Sequence, residues 1–139
     1  MSDTVQSVKL THAGALKLLA AAVKKAEDMN VPQCIAITDE AGHLLAFSRM
    51  DGAKVMSVDT ATAKARTAAT SRGPTGKAAP EAEIKMGLAT SGRWTNLKGG
   101  LPIVIGGACV GGIGVGSGTG DQDVECANAA LGAIKAQTF

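Results

Sequence analysis

Apolar residues recur every three or four positions over residues 11–29, a spacing that predicts an amphipathic helix. Thr11 is suited to cap the first turn, and Asn30 followed by Pro32 predicts where the helix ends. The predicted buried face consists of Leu16, Leu19, Val23 and Ala26.

Two short apolar runs then predict a β-hairpin. Residues 32–39 and 44–49 are rich in residues that favour strands, and the connecting EAGH contains Gly42, which suits a tight turn. The following run RMDGA, residues 49–53, packs a cation, a thioether and an anion together. It is therefore either a polar turn or the floor of a site.

Two further helices are predicted on either side of a break at residues 71–76. The first follows Ser57, a predicted N-cap, and carries a narrow stripe of small residues. The second spans residues 77–90, with Pro80 in its first turn, where a missing amide hydrogen is tolerated. The stripe of the first helix consists of Val58, Ala61, Ala65 and Ala68.

The C-terminal part also combines a hairpin with a helix. After a polar loop at residues 91–100, two apolar runs flank Gly106–Gly107, a dipeptide typical of a hairpin turn. Residues 121–137 then predict a helix. Its predicted buried face consists of Val124, Ala127, Leu131 and Ile134.

The predicted element order is thus α-β-β-α-α-β-β-α. Two hairpins cannot form parallel crossovers within themselves, so the simplest arrangement is an antiparallel sheet flanked by helices, an α+β fold. No linker marks a boundary, and 139 residues suit a single domain spanning residues 1–139.

Composition adds one expectation, which concerns the core. Apolar residues make up 45% of the chain, yet its aromatic residues are only Phe47, Trp94 and Phe139. A core of small aliphatic side chains stabilises a domain weakly. We therefore expect further burial between subunits, that is, self-association.

Charge and cysteine content disfavour several classes of protein. The 14 basic and 12 acidic residues are interspersed without a basic run, which argues against nucleic-acid binding. No apolar stretch reaches the roughly 18 residues that cross a bilayer, and the start lacks the pattern of a signal peptide. The three cysteines have no CxxC spacing and suggest reduced thiols, so we expect a cytoplasmic protein without a membrane partner.

The glycine-rich segment at residues 111–123, GGIGVGSGTGDQD, does not have the spacing of a phosphate-binding loop. Asp121 and Asp123 fall in the first turn of the helix that follows, where they would repel a phosphate. The segment instead favours a strand whose glycines let the backbone approach a helix or a neighbouring subunit closely.

The chain has only two histidines, His12 and His43, and their spacing does not suit a zinc site. A single histidine is nevertheless sufficient as an axial ligand of haem iron.

The densest polar group follows the second predicted strand. Arg49 and Lys64, together with exposed N–H groups of Gly99 and Gly100, would suit a small carboxylate across a cleft. Alternatively, Asp51 pairs with Arg49 or Lys64 and merely fixes the loop. The sequence leaves both interpretations open.

Three stretches resemble a known family: ITDEAGHLLAFSRMDGA, SVDTATAKARTAAT and KGGLPIVIGGACVGGIGVGSGTGDQDVECANAAL. They are similar to the GlcG/HbpS/PduO C-terminal group, also called haem-degrading, over residues 8–136. The resemblance implies a profilin-like α+β domain that assembles into dimers, tetramers or octamers. Some members bind haem, and others accompany catabolic pathways.

For this chain, the resemblance implies an oligomeric protein that binds a small ligand, with haem as the candidate cofactor and His12 as its candidate ligand residue. A competing hypothesis is an enzyme or helper protein of a catabolic pathway that acts on a small carboxylate metabolite by tautomerisation or by imine or enamine hydrolysis. Asp51, Glu125 or His43 would then be the general acid or base. A third hypothesis is a structural assembly module without a ligand.

Overall fold

The computed structural model describes residues 2–139 and has its elements in the predicted order. The helices are α1 (His12–Met29), α2 (Ser57–Ser71), α3 (Pro80–Ala89) and α4 (Gly120–Ala133). The strands are β1 (Cys34–Asp39), β2 (Leu44–Arg49), β3 (Gly100–Ile105) and β4 (Ala108–Gly116). The predicted α+β class is confirmed.

The strands form one antiparallel sheet in the order β2-β1-β4-β3. Both hairpins lie where the sequence predicts them, and Gly106 and Gly107 occupy the second turn with φ of +58° and +81°. The hairpins join through their inner strands, where Cys34 pairs with Gly116 and Asp39 pairs with Gly111. This leaves β2 and β3 as the two edges of the sheet.

Helices cover both faces of the sheet. Alternate residues of β1 point to opposite faces, so Ile35 and Ile37 join the larger core with α1 and α4, whereas Cys34 and Ala36 pack against α2. Helix α3 buries none of its residues and lies at the periphery. This helix–sheet–helix arrangement is the profilin-like layout that the resemblance implies.

Glycines in β4 allow α2 to pack directly on the sheet. A Cβ atom on Gly112 would lie 2.1 Å from the carbonyl oxygen of Ala65, and one on Gly114 would lie 2.0 Å from that of Ala61. No side chain fits at such distances. Residues 111–116 of the glycine-rich segment are therefore strand, as predicted, and of the two predicted neighbours, a helix or another subunit, the structure shows a helix.

The buried face of α1 differs from the predicted one. Leu16 is 46% exposed, and the face that contacts the sheet and α4 is dominated by alanine. Alanines of α1 occur on several sides of the helix, so the spacing of apolar residues alone does not determine which side is buried. The side with small residues permits the closest packing against its neighbours. The fully buried residues of α1 are Ala15, Leu18, Ala22 and Ala26.

Several predicted helix ends also differ, and α3 runs from Pro80 to Ala89 rather than over residues 77–90. Ser57 is the first residue of α2 rather than its cap, and Met56 in the cap position makes no side-chain hydrogen bond. Helix α4 ends at Ala133 rather than at residue 137, because the tail turns back and the amide of Gln137 donates to the carbonyl of Val104 in the edge strand β3. By contrast, Thr11 caps α1 as predicted, accepting from the amide of Gly14.

Candidate functional site

The predicted carboxylate cleft between Arg49 and Lys64 does not form. Lys64 packs toward the β3 edge of the sheet, whereas Arg49 ends the opposite edge strand, β2. With neighbouring strands about 4.8 Å apart, the two edges are about 14 Å apart. Lys64 belongs to α2, which packs mainly on the inner strand β4, and its Nζ contacts the carbonyl of Val115 in β4, whereas Arg49 lies at the end of the edge strand β2.

Lys64 is buried in an ion pair rather than lining a cleft. Its Nζ donates to Oδ2 of Asp123 at 2.9 Å and to the carbonyl of Val115 at 2.8 Å, and the two side chains are only 6% and 3% exposed. The pair links α2, β4 and the first turn of α4. The pair therefore holds these three elements together. The alternative prediction, in which Lys64 pairs with Asp51, is wrong.

The carboxyl of Asp123 responds to this burial. Loss of solvent raises its pKa, and the Lys64 ammonium, the Gly118 amide and the Gln33 amide oppose that shift. The amide of Gly118 donates to Asp123 Oδ1 at 3.1 Å and to Gln33 Oε1 at 2.9 Å. A negative charge is thus held in the interior by one cation and by dipoles that face it.

Gly99 and Gly100 do not offer the exposed N–H groups that were predicted. Both residues are buried, and the Gly100 amide donates to Thr75 Oγ1 at 2.9 Å. A Cβ on Gly99 would lie 3.0 Å from Lys64 Nζ, and one on Gly100 would lie 2.5 Å from the carbonyl oxygen of Lys64. These glycines make room for the helix and not for a ligand.

The RMDGA run is an exposed turn. The amide of Ala53 donates to the carbonyl of Met50, and Gly52 supplies the required positive φ of +88°. Arg49 and Asp51 are both exposed and form no ion pair within residues 2–139. The predicted Arg49–Asp51 pair is therefore wrong.

The three predicted acid or base residues lie in separate places. Asp51 follows β2 and His43 precedes it, so the strand of six residues separates them. Glu125 is on α4, where its carboxylate lies 3.3 Å from Lys25 Nζ of α1. His12 is exposed at the start of α1 and lines neither of the two cavities described below.

His43 is the predicted residue that the structure places in a sizeable cavity. We call this cavity the hairpin groove, because the β1–β2 turn forms one wall, with α2 and the α3 region forming the others. Its volume is about 700 Å³. It is lined by Ala41, Gly42, His43, Arg66, Thr67, Thr70, Ser71, Met86, Thr90, Arg93 and Trp94.

Hydrogen bonds fix the walls of the hairpin groove. Arg66 Nε of α2 donates to the carbonyl of Gly42 at 3.3 Å, which ties the helix to the hairpin turn. The amide of Thr95 donates to Thr67 Oγ1 at 3.0 Å, which ties the segment after α3 to the same helix. Each contact joins residues that are distant in sequence, so the groove exists only in the folded chain.

Asp39 orients His43 at the rim of the groove. Asp39 Oδ1 accepts from the amides of Ala41 and His43, at 3.0 and 2.9 Å, and its Oδ2 lies 3.7 Å from His43 Nδ1. The imidazole is 82% exposed, and within residues 2–139 its Nε2 has no hydrogen-bond partner. One ring nitrogen thus faces a carboxylate while the other is available to a ligand.

Two cationic side chains, Arg66 and Arg93, line the groove, and the carboxylate of Asp39 lies at its rim beside His43. Neither Arg66 nor Arg93 forms an ion pair within residues 2–139, and no acidic side chain is among the lining residues. Neither arginine was predicted from the sequence as a site residue, nor were Met86 and Trp94. Trp94 is the single tryptophan of the chain, and that was the only signal available.

No helix within residues 2–139 has both the length and the apolar character needed to cross a bilayer.

Helices on both faces of an antiparallel sheet, with an open cationic groove beside the first hairpin, define a small profilin-like α+β domain. Residues 10–132 match the model of the family described as haem degrading protein HbpS-like. The chain therefore belongs to the HbpS-like family, as its sequence motifs indicated.

Individual relatives agree with this assignment. The chain is 36% identical over 109 residues to protein GlcG of Escherichia coli strain K12, covering 78% of this chain and 81% of that protein. It is similar in structure to a PduOC:heme complex, with a TM-score of 0.86, 27% identity and coverage of 95% and 99%. A double mutant of Streptomyces reticuli HbpS gives a TM-score of 0.84, 34% identity and coverage of 96% and 92%.

Proposed function

We propose that the protein binds haem in the hairpin groove. The observation that carries this proposal is the content of the groove, in which a histidine, two unpaired arginines and apolar side chains line one cavity. Haem combines a large apolar ring with two carboxylates and an iron that takes axial ligands, so each part has a counterpart in the groove.

The size and lining of the groove fit such a ligand. A volume of about 700 Å³ lies within the range of roughly 300–1,000 Å³ that is common for sites of small molecules and cofactors. Met86 and Trp94 provide the apolar contact for the ring, since a thioether and an indole are both polarisable. Arg66 and Arg93 provide the charges that recognise carboxylates.

His43 would supply the axial ligand through Nε2. Histidines that bind metals usually direct their other ring nitrogen at a carboxylate or a carbonyl, which fixes the ring and raises its basicity. Asp39 occupies that position 3.7 Å from Nδ1. Haem bound there would supply iron-centred redox chemistry, while the chain's own residues anchor the carboxylates and hold the imidazole.

Relatives support this proposal independently. One similar structure is of a complex with heme, and the matched family is described as haem degrading. The proposed position of the ligand rests on the residues that line the groove. His12, which the family resemblance favours, lies outside the groove and is the alternative ligand residue.

A hemin titration followed by the Soret band tests the proposal, with the two histidines as matched variants. We expect a shifted Soret band for the wild-type protein and for His12→Ala, and a lost or altered band for His43→Ala. His43 is largely exposed, so its substitution leaves the fold intact. Absence of binding in the wild-type protein refutes haem binding, and loss only in His12→Ala assigns the iron to His12 instead.

The arginines provide a second readout of the same site. Arg66→Gln and Arg93→Gln should each weaken hemin binding about tenfold, the lower range for a charged hydrogen bond at about 1.5 kcal/mol. Arg72→Gln removes the same charge just beyond α2, outside the groove, and should leave the affinity unchanged. Equal affinities in all three variants would place the ligand elsewhere.

A second candidate function uses the same groove, because an imidazole backed by a carboxylate beside two arginines also suits acid–base chemistry on a small carboxylate metabolite. In that case His43 moves the proton and the arginines hold the carboxylate. In this candidate function, His43 and the two groove arginines take the roles that the sequence-based hypothesis gave to other residues. Those residues, which the fold keeps apart, are Arg49, Lys64, Asp51 and Glu125. The hemin titration separates the two candidates, since only the first requires tight hemin binding.

We also propose that the protein self-associates, with α3 in the contact. Ile84 and Leu88 lie one turn apart on this helix and are 75% and 77% exposed. Val55 and Met56 before α2 are 67% and 75% exposed. Side chains of this size at such exposure are typical of a surface that another chain covers.

A further inference from the structure

A second cavity lies at the start of α1, on the opposite face of the sheet from α2. We call it the N-terminal cavity, and its volume is about 390 Å³. The N-terminal segment, the first turns of α1, the β3–β4 hairpin and the end of α4 form its walls. Val110, which lines it, belongs to the core between the sheet, α1 and α4, so it is separate from the hairpin groove.

The walls of the N-terminal cavity are mainly aliphatic. Leu10, Val110 and Ile134 line its interior, and Val8 and Ile105 are partly exposed at 63% and 38%. No aromatic ring or acidic side chain is among the lining residues. Such walls suit a flexible hydrocarbon chain, because they offer contact area but few hydrogen-bonding groups.

The polar groups at the cavity select the charge of the ligand. Lys17 is exposed and makes no ion pair or hydrogen bond within residues 2–139, whereas Lys9 is already paired with Glu40 at 2.9 Å. Thr11 Oγ1 accepts from the Gly14 amide, which leaves its hydroxyl hydrogen to donate. One free ammonium and one free hydroxyl match a group with a single negative charge.

We propose that the N-terminal cavity binds a medium-chain aliphatic monocarboxylate, with the chain against Leu10, Val110 and Ile134 and the carboxylate at Lys17. Gly14 makes room for the side chain of Leu10 at this site, since a Cβ there would lie 3.0 Å from Leu10 Cδ1. The site is independent of haem binding, because it shares no residue with the hairpin groove.

Isothermal titration with decanoate tests the proposal. We expect the wild-type protein to bind one decanoate per chain, and 1-decanol, which has the same chain without the charge, to bind more weakly. Lys17→Gln should weaken decanoate binding about two- to fivefold, the range for loss of one exposed charged contact. Lys24→Gln is the matched control on the same helix, and it should bind decanoate as the wild-type protein does.

A blocking variant separates this site from adventitious binding elsewhere. Ala133 is exposed at the rim of the cavity, so Ala133→Phe fills the entrance without disturbing the core. It should abolish decanoate binding and leave hemin binding unchanged. The proposal is overturned if the wild-type protein does not bind decanoate, or if neither Lys17→Gln nor Ala133→Phe weakens binding.

Discussion

The buried Lys64–Asp123 pair offers the sharpest test of how this fold is held together. Replacing Asp123 by Asn changes its size little but leaves the ammonium of Lys64 without a counter-charge. The introduced amide offers a single neutral acceptor oxygen, which cannot replace both contacts that the carboxylate makes, to Lys64 Nζ and to the amide of Gly118. We therefore expect Asp123→Asn to fold with markedly reduced stability.

The structure sets the magnitude of this loss. Both side chains are less than a tenth exposed, so neither charge can be rehydrated without local unfolding. Removing one partner of a pair buried to this extent costs about 3–5 kcal/mol. A domain of ordinary stability has roughly 5–15 kcal/mol in total. The loss thus brings the variant near the threshold of folding.

A matched surface pair on the same helix provides the control. Asp121 lies two residues before Asp123 and pairs with Lys98, but both side chains are largely exposed. Asp121→Asn should therefore change stability little, since water and salt screen such pairs. A double variant, Lys64→Met with Asp123→Leu, should be more stable than either single variant, because it leaves no uncompensated charge.

The pH dependence of Lys64→Met gives an independent check. Without the ammonium, burial raises the pKa of Asp123 above its unfolded value near 3.9. The native state then keeps a proton that the unfolded state releases. Stability is fully present below the unfolded pKa and is lost as the pH rises through the higher native pKa. This variant should therefore be more stable at mildly acidic pH than at neutral pH.

Urea denaturation at one fixed protein concentration measures these differences, with the m value compared between variants. The reasoning is refuted if Asp123→Asn loses less than about 1 kcal/mol, the range of a surface pair. It is also refuted if the double variant is no more stable than both single variants.

Two further predictions concern the cysteines and the assembly. Burial raises the pKa of Cys126 to about 12 and also raises that of Cys34, whereas Cys109 is only half-buried. A thiol reagent at pH 8 should therefore label one cysteine per native chain, because the buried thiols stay protonated. The variant Cys109→Ser should abolish this labelling. Labelling of Cys126 in the native protein would contradict the prediction. Light scattering should show a multimer for the wild-type protein and a smaller species for Ile84→Glu with Leu88→Glu, while Lys85→Gln on the same helix keeps the multimer. A monomeric wild-type protein would exclude self-association.

The sequence by itself determined the order of the elements. Local signals are sufficient there, because the turns at Gly42 and Gly106–Gly107 fix both hairpins. The exact ends of the helices were less well determined, since α3 begins at Pro80 and not at the predicted residue 77. The family could also be identified from the sequence, since its motifs are contiguous and the family model matches most of the chain. The glycines of β4 also predicted a close approach to a helix or a neighbouring subunit, and the structure identifies α2 as that neighbour.

Only the tertiary structure decided which residues meet. Helices rich in alanine offer several faces of similar hydrophobicity, so the buried side of α1 depends on what packs against it. The sequence suggested that Lys64 is a cation at the edge of a cleft, whereas the packing of α4 places Asp123 beside it and buries both side chains. Arg66 and Arg93 gave no sequence signal, because isolated arginines are common on surfaces. The hairpin groove arises from a turn, a helix and a loop that are distant in sequence, and only packing brings His43 to them.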